Sequence, residues 1–365
     1  MSEMNISSVT ASDLTNTVTD YSVASAATDG ATGGKETSYI NPDFAEQLGY
    51  YKEIPEVQNV IDTKARWTIG KGYTSNEITT LALMDIKGFG KDTFNTILEN
   101  QKRVMDIAGD SFAEIIRNDE GRLVNLKPLD PGTIKIISNG KGIITRYEQV
   151  SKANKNGVLR KFKPEEIFHL SRNRTADEIH GVSLISSLKW IIKAKQEAMA
   201  DMRTLMHRHV KPIVKWQLDT DDTTEIAAFK LKADEAVENG ENLYIPMGAA
   251  DAEYLSLAAN ATLNPIAWIR ELDTYFYKLA GMPQIIVGGV TGGTESADKT
   301  SYMAYEQTIE EDQLYIEEQV DMQLGLEIEL EFPATIQNDL ISDVAKDGPM
   351  KASTREDTAV TGAVQ

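Results

Sequence analysis

The chain of 365 residues contains no cysteine and only four histidines. Without cysteine it has no disulfide, no thiolate nucleophile and no cysteine-based zinc site. It also lacks any apolar run near the ~18 residues that span a bilayer. Residues 1–10 have neither the basic region nor the apolar stretch of a secretory signal. These absences predict a soluble chain with no membrane partner.

Histidine is too sparse and too scattered for a metal or catalytic site. His207 and His209 are two residues apart in a predicted helix, so they point in different directions and cannot bind one ion together. His169 stands between two large apolar residues in a predicted strand, which indicates a core or interface histidine. No serine or threonine stands in a nucleophile-elbow motif, and no acidic pair stands out. We therefore expect no enzyme, no catalytic residue, no metal and no cofactor.

A phosphate-binding loop is missing as well. Residues 88–93 read GFGKDT, but the first glycine is too close to the lysine, and Asp92 takes the place of the required hydroxyl residue. With that spacing the backbone amides cannot surround a phosphate beneath the lysine. The segment is predicted to be a turn that precedes a helix.

Positive charge is scarce, since 37 Lys and Arg stand against 56 Asp and Glu, for a formal net charge of −19. A conventional nucleic-acid binder neutralises phosphates with clustered basic residues, so this composition argues against one. It does not argue against a surface along which DNA slides, because an acidic wall offers phosphates no deep binding minimum. Plain solubility or a salt-adapted proteome explains the same charge equally well.

Two segments depart from the average charge. Residues 189–215 carry seven basic residues against only Glu197 and Asp201, whereas residues 305–331 carry ten acidic residues and no basic one. Each segment is explained by an ordinary solvated helix face. The alternative is that the basic segment faces phosphates or an acidic neighbouring subunit, and that the acidic segment is such a partner surface.

The hydrophobic content of 41% in a chain of this length predicts a sizeable core and a globular class for most of the chain. Apolar positions at helical spacing predict helices at 92–108, 183–209, 224–237, 265–280 and 298–323. Short strands and turns alternate over 111–180, and further strands are predicted at 213–218, 242–247 and 326–332. Segments rich in Ser, Thr, Ala and Gly predict disorder at both ends.

Three motifs follow one another in the strand-rich segment. Residues 117–121 read RNDEG, residues 126–131 read LKPLDP and residues 164–169 read PEEIFH. In this order they resemble the portal proteins of tailed double-stranded-DNA viruses, with the family patterns R-(N/D)-x-x-G, L-x-P-L-x-P and P-E-(E/D)-I-x-H. Residues 279–288, LAGMPQIIVG, are similar to a further family segment, F-G-V-P-P-x-x-L-G, with Gln284 in place of the second proline. The resemblance extends over about residues 39–332.

The resemblance implies a portal-type α+β fold that assembles as a ring, with a mixed wing domain, a two-helix stem, a β-rich clip insertion and C-terminal helices. Its parts fall on this chain as follows: a disordered tail at 1–38, the wing at 39–91, a stem helix at 92–110, the clip at 111–182, a stem helix at 183–211, the wing with its channel loop at 212–264, the channel helix and a short crown at 265–332, and a flexible tail at 333–365.

The resemblance also implies a function at one capsid vertex of the virion, where a ring of twelve copies lets double-stranded DNA in and out without sequence readout. The implied partners are the major capsid protein, terminase and the head-to-tail adaptor, with assembly in the host cytoplasm. The implied channel loop is Ala258, Ala259, Asn260, Ala261, Thr262, Leu263 and Asn264. The implied basic stem stripe is Lys189, Lys193, Lys195, Arg203, Arg208 and Lys211. The alternatives are another capsid-associated adaptor or scaffold that binds protein only, and an acidic hydrolase.

Overall fold

The structure, a computed structural model, describes residues 28, 35–153, 157–210, 214–239, 250–254, 265–288 and 295–332. The helices in these residues are α1 (Phe44–Glu53), α2 (Pro55–Ile69), α3 (Glu77–Met84), α4 (Phe94–Ala108), α5 (Leu184–Val210), α6 (Thr223–Asn239), α7 (Pro265–Ala280) and α8 (Glu295–Leu324). The strands are β1 (Thr37–Tyr39), β2 (Tyr73–Ser75), β3 (Asp110–Arg117), β4 (Leu123–Leu129), β5 (Ile134–Ser138), β6 (Ile144–Val150), β7 (Val158–Phe162), β8 (Ile167–Ser171), β9 (Val214–Leu218), β10 (Ala250–Tyr254) and β11 (Ile328–Leu330).

The predicted α+β class is confirmed, and all five helices predicted from apolar spacing are found as α4 to α8. The strand predicted at 213–218 is β9, and the one at 326–332 is shorter, as β11. The strand predicted at 242–247 lies outside the described residues. The tail boundary at residue 38 was placed too late, because Thr37–Tyr39 pairs with β5 and the Glu36 carboxylate binds the Arg146 guanidinium.

The strands form four antiparallel sheets in the described chain, with the orders β4-β3-β8, β1-β5-β6-β7, β11-β2 and β10-β9. Two of the family-like motifs, RNDEG and LKPLDP, form turns between successive strands. In the first, the Asn118 side chain accepts hydrogen bonds from the backbone N–H groups of Glu120 at 3.1 Å and Arg122 at 2.8 Å. In the second, Asp130 accepts one from Gly132 at 2.9 Å. Such side-chain acceptors stabilise turns locally, so each of these motifs is a sequence signal for a turn.

Helix α4 lies at the centre of the molecule. Thr93 caps its first turn by accepting a hydrogen bond from the Thr96 N–H at 3.3 Å. Gly109 ends it with a φ of +89°, and a Cβ there would lie 2.4 Å from the carbonyl oxygen of Gly181. The buried residues Leu98 and Met105 belong to the core cluster that also holds residues of β3, β8 and α8.

A buried charge cluster joins α4 to α2 and α8. The Lys102 ammonium, which is fully buried, lies 3.2 Å from Asp106 Oδ1 and 3.0 Å from Asp312 Oδ2. Arg172 Nε lies 3.4 Å from Asp106 Oδ1, and Lys64 Nζ lies 4.0 Å from Asp312 Oδ2. Five charged side chains from four parts of the sequence therefore meet in the core.

Opposite charges within the cluster offset the cost of burial for Lys102 and Asp312. Burial lowers the pKa of Lys102, but the carboxylates of Asp106 and Asp312 more than reverse this and raise it. Burial raises the pKa of Asp312, but Lys102 and Lys64 outweigh it, so the pKa lies below its ordinary value. The pKa of Lys64 is lowered, because burial outweighs the attraction of the carboxylates.

Helix α8 also covers the free edge of the β4-β3-β8 sheet. The Gln323 side chain accepts a hydrogen bond from the backbone N–H of His169 and donates one to its carbonyl, both at 2.8 Å. The Tyr315 hydroxyl accepts another from the Ser171 N–H at 2.9 Å. An uncovered edge strand can pair with a strand of another chain. These side chains occupy the edge of β8 and so prevent such pairing.

The cluster gives a first testable prediction. Lys102→Met leaves two carboxylates in the core without their main partner, so we expect unfolding in urea to show a loss of about 3–5 kcal/mol at pH 7. The matched control is Arg122→Met, which removes an exposed arginine paired with Glu120 at 3.5 Å. Surface pairs of this kind contribute about 0–1 kcal/mol. Equal losses in the two variants contradict the prediction.

The pH dependence follows from the depressed pKa of Asp312. A carboxylate whose pKa is lower in the folded state gives stability above its unfolded pKa, about 3.9, and this is lost as pH falls through the folded value. In Lys102→Met, burial instead raises the pKa of Asp312, so protonation removes the unpaired charge. The deficit of the variant relative to wild type should therefore shrink as pH falls, beginning above the ordinary pKa of about 3.9 and continuing down to the depressed pKa of the wild-type carboxylate.

Candidate functional site

Helices α5 and α7 lie side by side and form the candidate site. The first half of α5 packs Leu188 and Ile192 into the same core cluster as Leu272 and Phe276 of α7. The apolar face predicted for α5 is confirmed: Leu184, Leu188 and Ile191 are buried, and Ala198, Met202 and Leu205 are partly buried. Its burial thus weakens toward its C-terminal half.

Between these two helices the chain forms β9, α6 and β10, here called the insertion; the other described residues are called the body. Strands β9 and β10 pair antiparallel, with Val214 opposite Tyr254. The register therefore brings the start and the end of the insertion to one place. In α6, among side chains that the structure describes, Ala233 alone is buried, and Phe229 makes a T-shaped contact with Trp216 at 5.2 Å between centroids. The side chains that the structure describes in the insertion, at 216–236, are thus mostly exposed.

The resemblance implied a different division. It assigned the stem to α4 and α5, and the clip to the strands β3 to β8 between them. In the structure α4 is packed on several sides, by α2, α1 and the β4-β3-β8 sheet. The strands between α4 and α5 bury core residues such as Phe112, Leu126 and Phe168. The described residues of 111–182 therefore belong to the body, and the segment that α5 and α7 enclose in the chain is the insertion.

The basic stem stripe is partly neutralised within the chain. Lys189 Nζ lies 2.8 Å from Glu46 Oε1, and this bond raises the lysine pKa. Lys195 Nζ lies 3.0 Å from Glu56 Oε1 and 2.6 Å from Asp273 Oδ1. Burial lowers the pKa of Lys195, but the two carboxylates outweigh it and the net pKa is raised. These lysines fasten α5 to α1, α2 and α7.

The rest of the stripe is divided. Lys193 and Arg203 are exposed, and neither makes an ion pair with a described residue. Arg208 lies in α5 at a position whose side chain is not described, and Lys211 lies outside the described residues. The predicted channel loop at 258–264 also lies outside them. The structure thus leaves Lys193 and Arg203 as the stripe cations that are available at the surface.

The acidic segment at 305–331 is likewise used in part inside the chain. Asp312 belongs to the buried cluster, and Glu317 Oε1 accepts a hydrogen bond from the Leu330 N–H at 2.6 Å. Sequence analysis missed these roles, because both segments look like solvated faces when their partners are far away in the chain. The one available signal was the place of Lys102 among the apolar positions of α4.

His169 and the glycine-rich segment at 88–93 have the structures that the sequence predicted. His169 is buried, with Nδ1 3.0 Å from the Tyr147 hydroxyl and Nε2 2.9 Å from Asp110 Oδ1, so it is a core histidine that joins two sheets. Residues 88–93 form a turn in which Asp92 accepts a hydrogen bond from the Phe89 N–H at 3.0 Å. Within the described residues we find no group of three or more potential metal ligands, and no helix there is long and apolar enough to cross a membrane.

Comparisons with known proteins identify the fold. No protein-family model matches the chain, and no curated protein matches it significantly. Among solved structures, the neck of a native GTA particle, computed with C12 symmetry, matches with a TM-score of 0.64 at 12% identity, over 87% of this chain and 91% of that chain. The virion of a native gene transfer agent (GTA) particle matches with a TM-score of 0.57 at 15% identity, over 89% and 91%.

An HK97-family phage portal protein from Corynebacterium diphtheriae also matches, with a TM-score of 0.50 at 9% identity, over 79% of this chain and 94% of that chain. The matches span most of both chains in each case. The likeness to portal proteins that the three motifs indicated is therefore confirmed for the fold: this chain has the fold of these phage portal and neck structures.

The division into body and insertion gives a second prediction. Phe229→Ala should leave the unfolding midpoint of the body unchanged and speed amide hydrogen exchange in α6, because Phe229 packs within the insertion. The matched control is Phe168→Ala, which removes a fully buried phenylalanine from the body and should cost about 3–5 kcal/mol. If Phe229→Ala lowers the stability of the body by a similar amount, the insertion is not an independent projection.

Proposed function

We propose that this chain is a portal subunit, copies of which form a ring at one vertex of a viral or virus-like capsid. The observation that supports it best is the match to the C12 neck and to the HK97-family portal, over most of each chain. The motif order in residues 117–169 supports it independently. Double-stranded DNA passes through the ring during packaging and again during ejection.

In this proposal α5 and α7 form the stem and the insertion forms the clip. Two features support the assignment: the helices pack along each other, and the segment they enclose is exposed and has its two ends together. The part of the body that contains α1 to α4 and β1 to β8 then forms the wing, and α8 leads toward a short crown. This replaces the division in which α4 was a stem helix and residues 111–182 were the clip.

The chemistry proposed for DNA is electrostatic, with no bond made or broken by this chain. The net charge of −19 keeps phosphates from binding tightly, while isolated cations such as Lys193 and the small polar loop at 258–264 give weak contacts without base readout. ATP hydrolysis is assigned to a separate terminase. The glycine-rich segment at 88–93 forms a turn before α4, and its spacing does not suit a phosphate-binding loop. Terminase, and later the head-to-tail adaptor, dock on the exposed insertion, and the major capsid protein surrounds the wing.

Negative-stain electron microscopy with native mass spectrometry tests the proposal. We expect closed rings, twelve copies each, with a central hole that admits duplex DNA. Rings or discs without such a hole would favour the alternative, a capsid-associated adaptor or scaffold that binds protein only. A chain that remains monomeric at every concentration, even when it is co-expressed with its capsid protein, contradicts a ring-forming portal.

DNA contact by Lys193 gives a further prediction. The affinity of the ring for short duplex DNA, followed by fluorescence anisotropy over a range of salt, should depend on salt with a slope of about −0.9 per phosphate contact in a log–log plot. Lys193→Gln should weaken binding and make the slope shallower. The control is Lys141→Gln, in the exposed turn between β5 and β6, which should bind as wild type does. Equal behaviour of both variants would remove Lys193 from the channel.

A further inference from the structure

Part of the apolar surface of helix α7 is not buried by the rest of the body. Leu272, Phe276 and Ala280 are buried in the core. Beside them Trp268, Tyr275 and Leu279 remain 53%, 45% and 54% exposed. Spacings of seven and four residues place these three on one stripe of the helix. Contiguous exposed apolar surface of this kind marks an interaction site in a soluble protein. We call these three residues the aromatic stripe.

A groove of about 490 Å³ lies on the other flank of the helix pair. Its apolar walls come from Ile54, Ile192, Met199 and Phe276, and Arg203 lies at its margin. Its volume falls within the roughly 300–1,000 Å³ of pockets that enclose ligand-sized groups, so it accommodates an aromatic side chain. Met206, seven residues after Met199, is also 51% exposed and extends the same face of α5.

The stripe and the groove face different directions. Lys195 lines the groove and binds Asp273, so the Asp273 side of α7 is the groove side. Tyr275 is two residues further on, and at about 100° per residue its side chain points to the opposite side of the helix. One molecule therefore cannot fill its own groove with its own stripe. Two copies can do so, with a different surface used on each copy.

Each surface has an exposed charge beside it, and these two charges are opposite, while Glu53 also lines the groove and Lys278 Nζ lies 5.7 Å from the Tyr275 ring centroid. Arg203 lies at the groove, and Glu271, on the exposed side of α7 between Trp268 and Tyr275, lies at the stripe. Both side chains are exposed, and neither makes an ion pair with a described residue. Opposite charges at the edges of two apolar surfaces set the orientation in which they meet.

We propose that the aromatic stripe of one copy packs into the groove of the next copy, with Glu271 of the first copy beside Arg203 of the second. This is a heterologous contact, and heterologous contacts are the kind that close into rings with a rotation axis. The inference rests on the proposed portal function, since it names the surfaces through which the ring closes. It also gives Arg203 a role toward protein instead of DNA.

The absence of cysteine allows a direct test in the full chain. Met199→Cys and Trp268→Cys are made singly and together, and each preparation is treated with a short bismaleimide and run on a denaturing gel. We expect each single variant to remain monomeric on the gel, their mixture to give a cross-linked dimer, and the double variant to give a ladder of multimers. Tyr275→Cys is a second stripe position if Trp268→Cys fails to fold by circular dichroism.

The matched control pairs Met199→Cys with Leu314→Cys, an exposed apolar position on α8, which should give no ladder. The same samples are imaged by electron microscopy. Rings without a ladder overturn this interface but leave the portal function in place. If the samples show no rings and no ladder, the result counts against both the interface and the portal function. A dimer from either single variant shows a two-fold contact and also overturns the inference, as does a ladder from the Leu314 pair.

Charge reversal tests the same contact without cross-linking. Arg203→Glu and Glu271→Arg should each weaken ring formation about tenfold in native mass measurements, because each sets like charges together. The double variant restores the pair and should recover most of the loss. Additive weakening in the double variant shows that the two residues do not meet.

Discussion

The buried charge cluster around Lys102 is the constraint on which the rest of the structure depends. Ion pairs in a core contribute little net stability compared with an apolar replacement, but one left without its partner costs several kcal/mol. Any packing of α8 that withdraws Asp312 incurs that cost. The cluster therefore selects one position of α8 against α4. With α8 in that position, Gln323 and Tyr315 reach the free edge of β8, and β11 pairs with β2.

Charge in this chain serves two purposes that the sequence alone does not separate. Some residues that count toward the excess of Asp and Glu form ion pairs between helices. Each of Asp312, Glu46 and Glu56 binds a lysine of another helix. The chain as a whole stays acidic, with a formal net charge of −19. In the proposed ring such a charge distribution would let a polyanion pass and still accept a neighbouring subunit in one orientation, because local pairs act at short range while the net field acts at long range.

Much of the fold was predictable because its signals are local. Thr93 and Gly109 mark the ends of α4, Asn118 closes a hairpin turn, and apolar spacing locates the helices. The pairing of helices was not predictable in the same way. Both α4 and α7 offer an amphipathic partner for α5, and only long-range packing decides between them. The channel loop at 258–264 lies outside the described residues, so its place in the site stays a prediction.

Helix α5 joins the two requirements of the fold. Its first half is committed to the core through Leu188 and Ile192, whereas its second half presents Met199 and Met206 to solvent. Long, flexible methionine side chains adapt to a partner surface, and a helix continuous across both halves transmits the orientation of the body to the insertion. A single chain leaves this apolar surface in contact with water. In the proposed ring, assembly removes it from water, so the same helix that completes the core of one copy would supply the driving force to associate with the next.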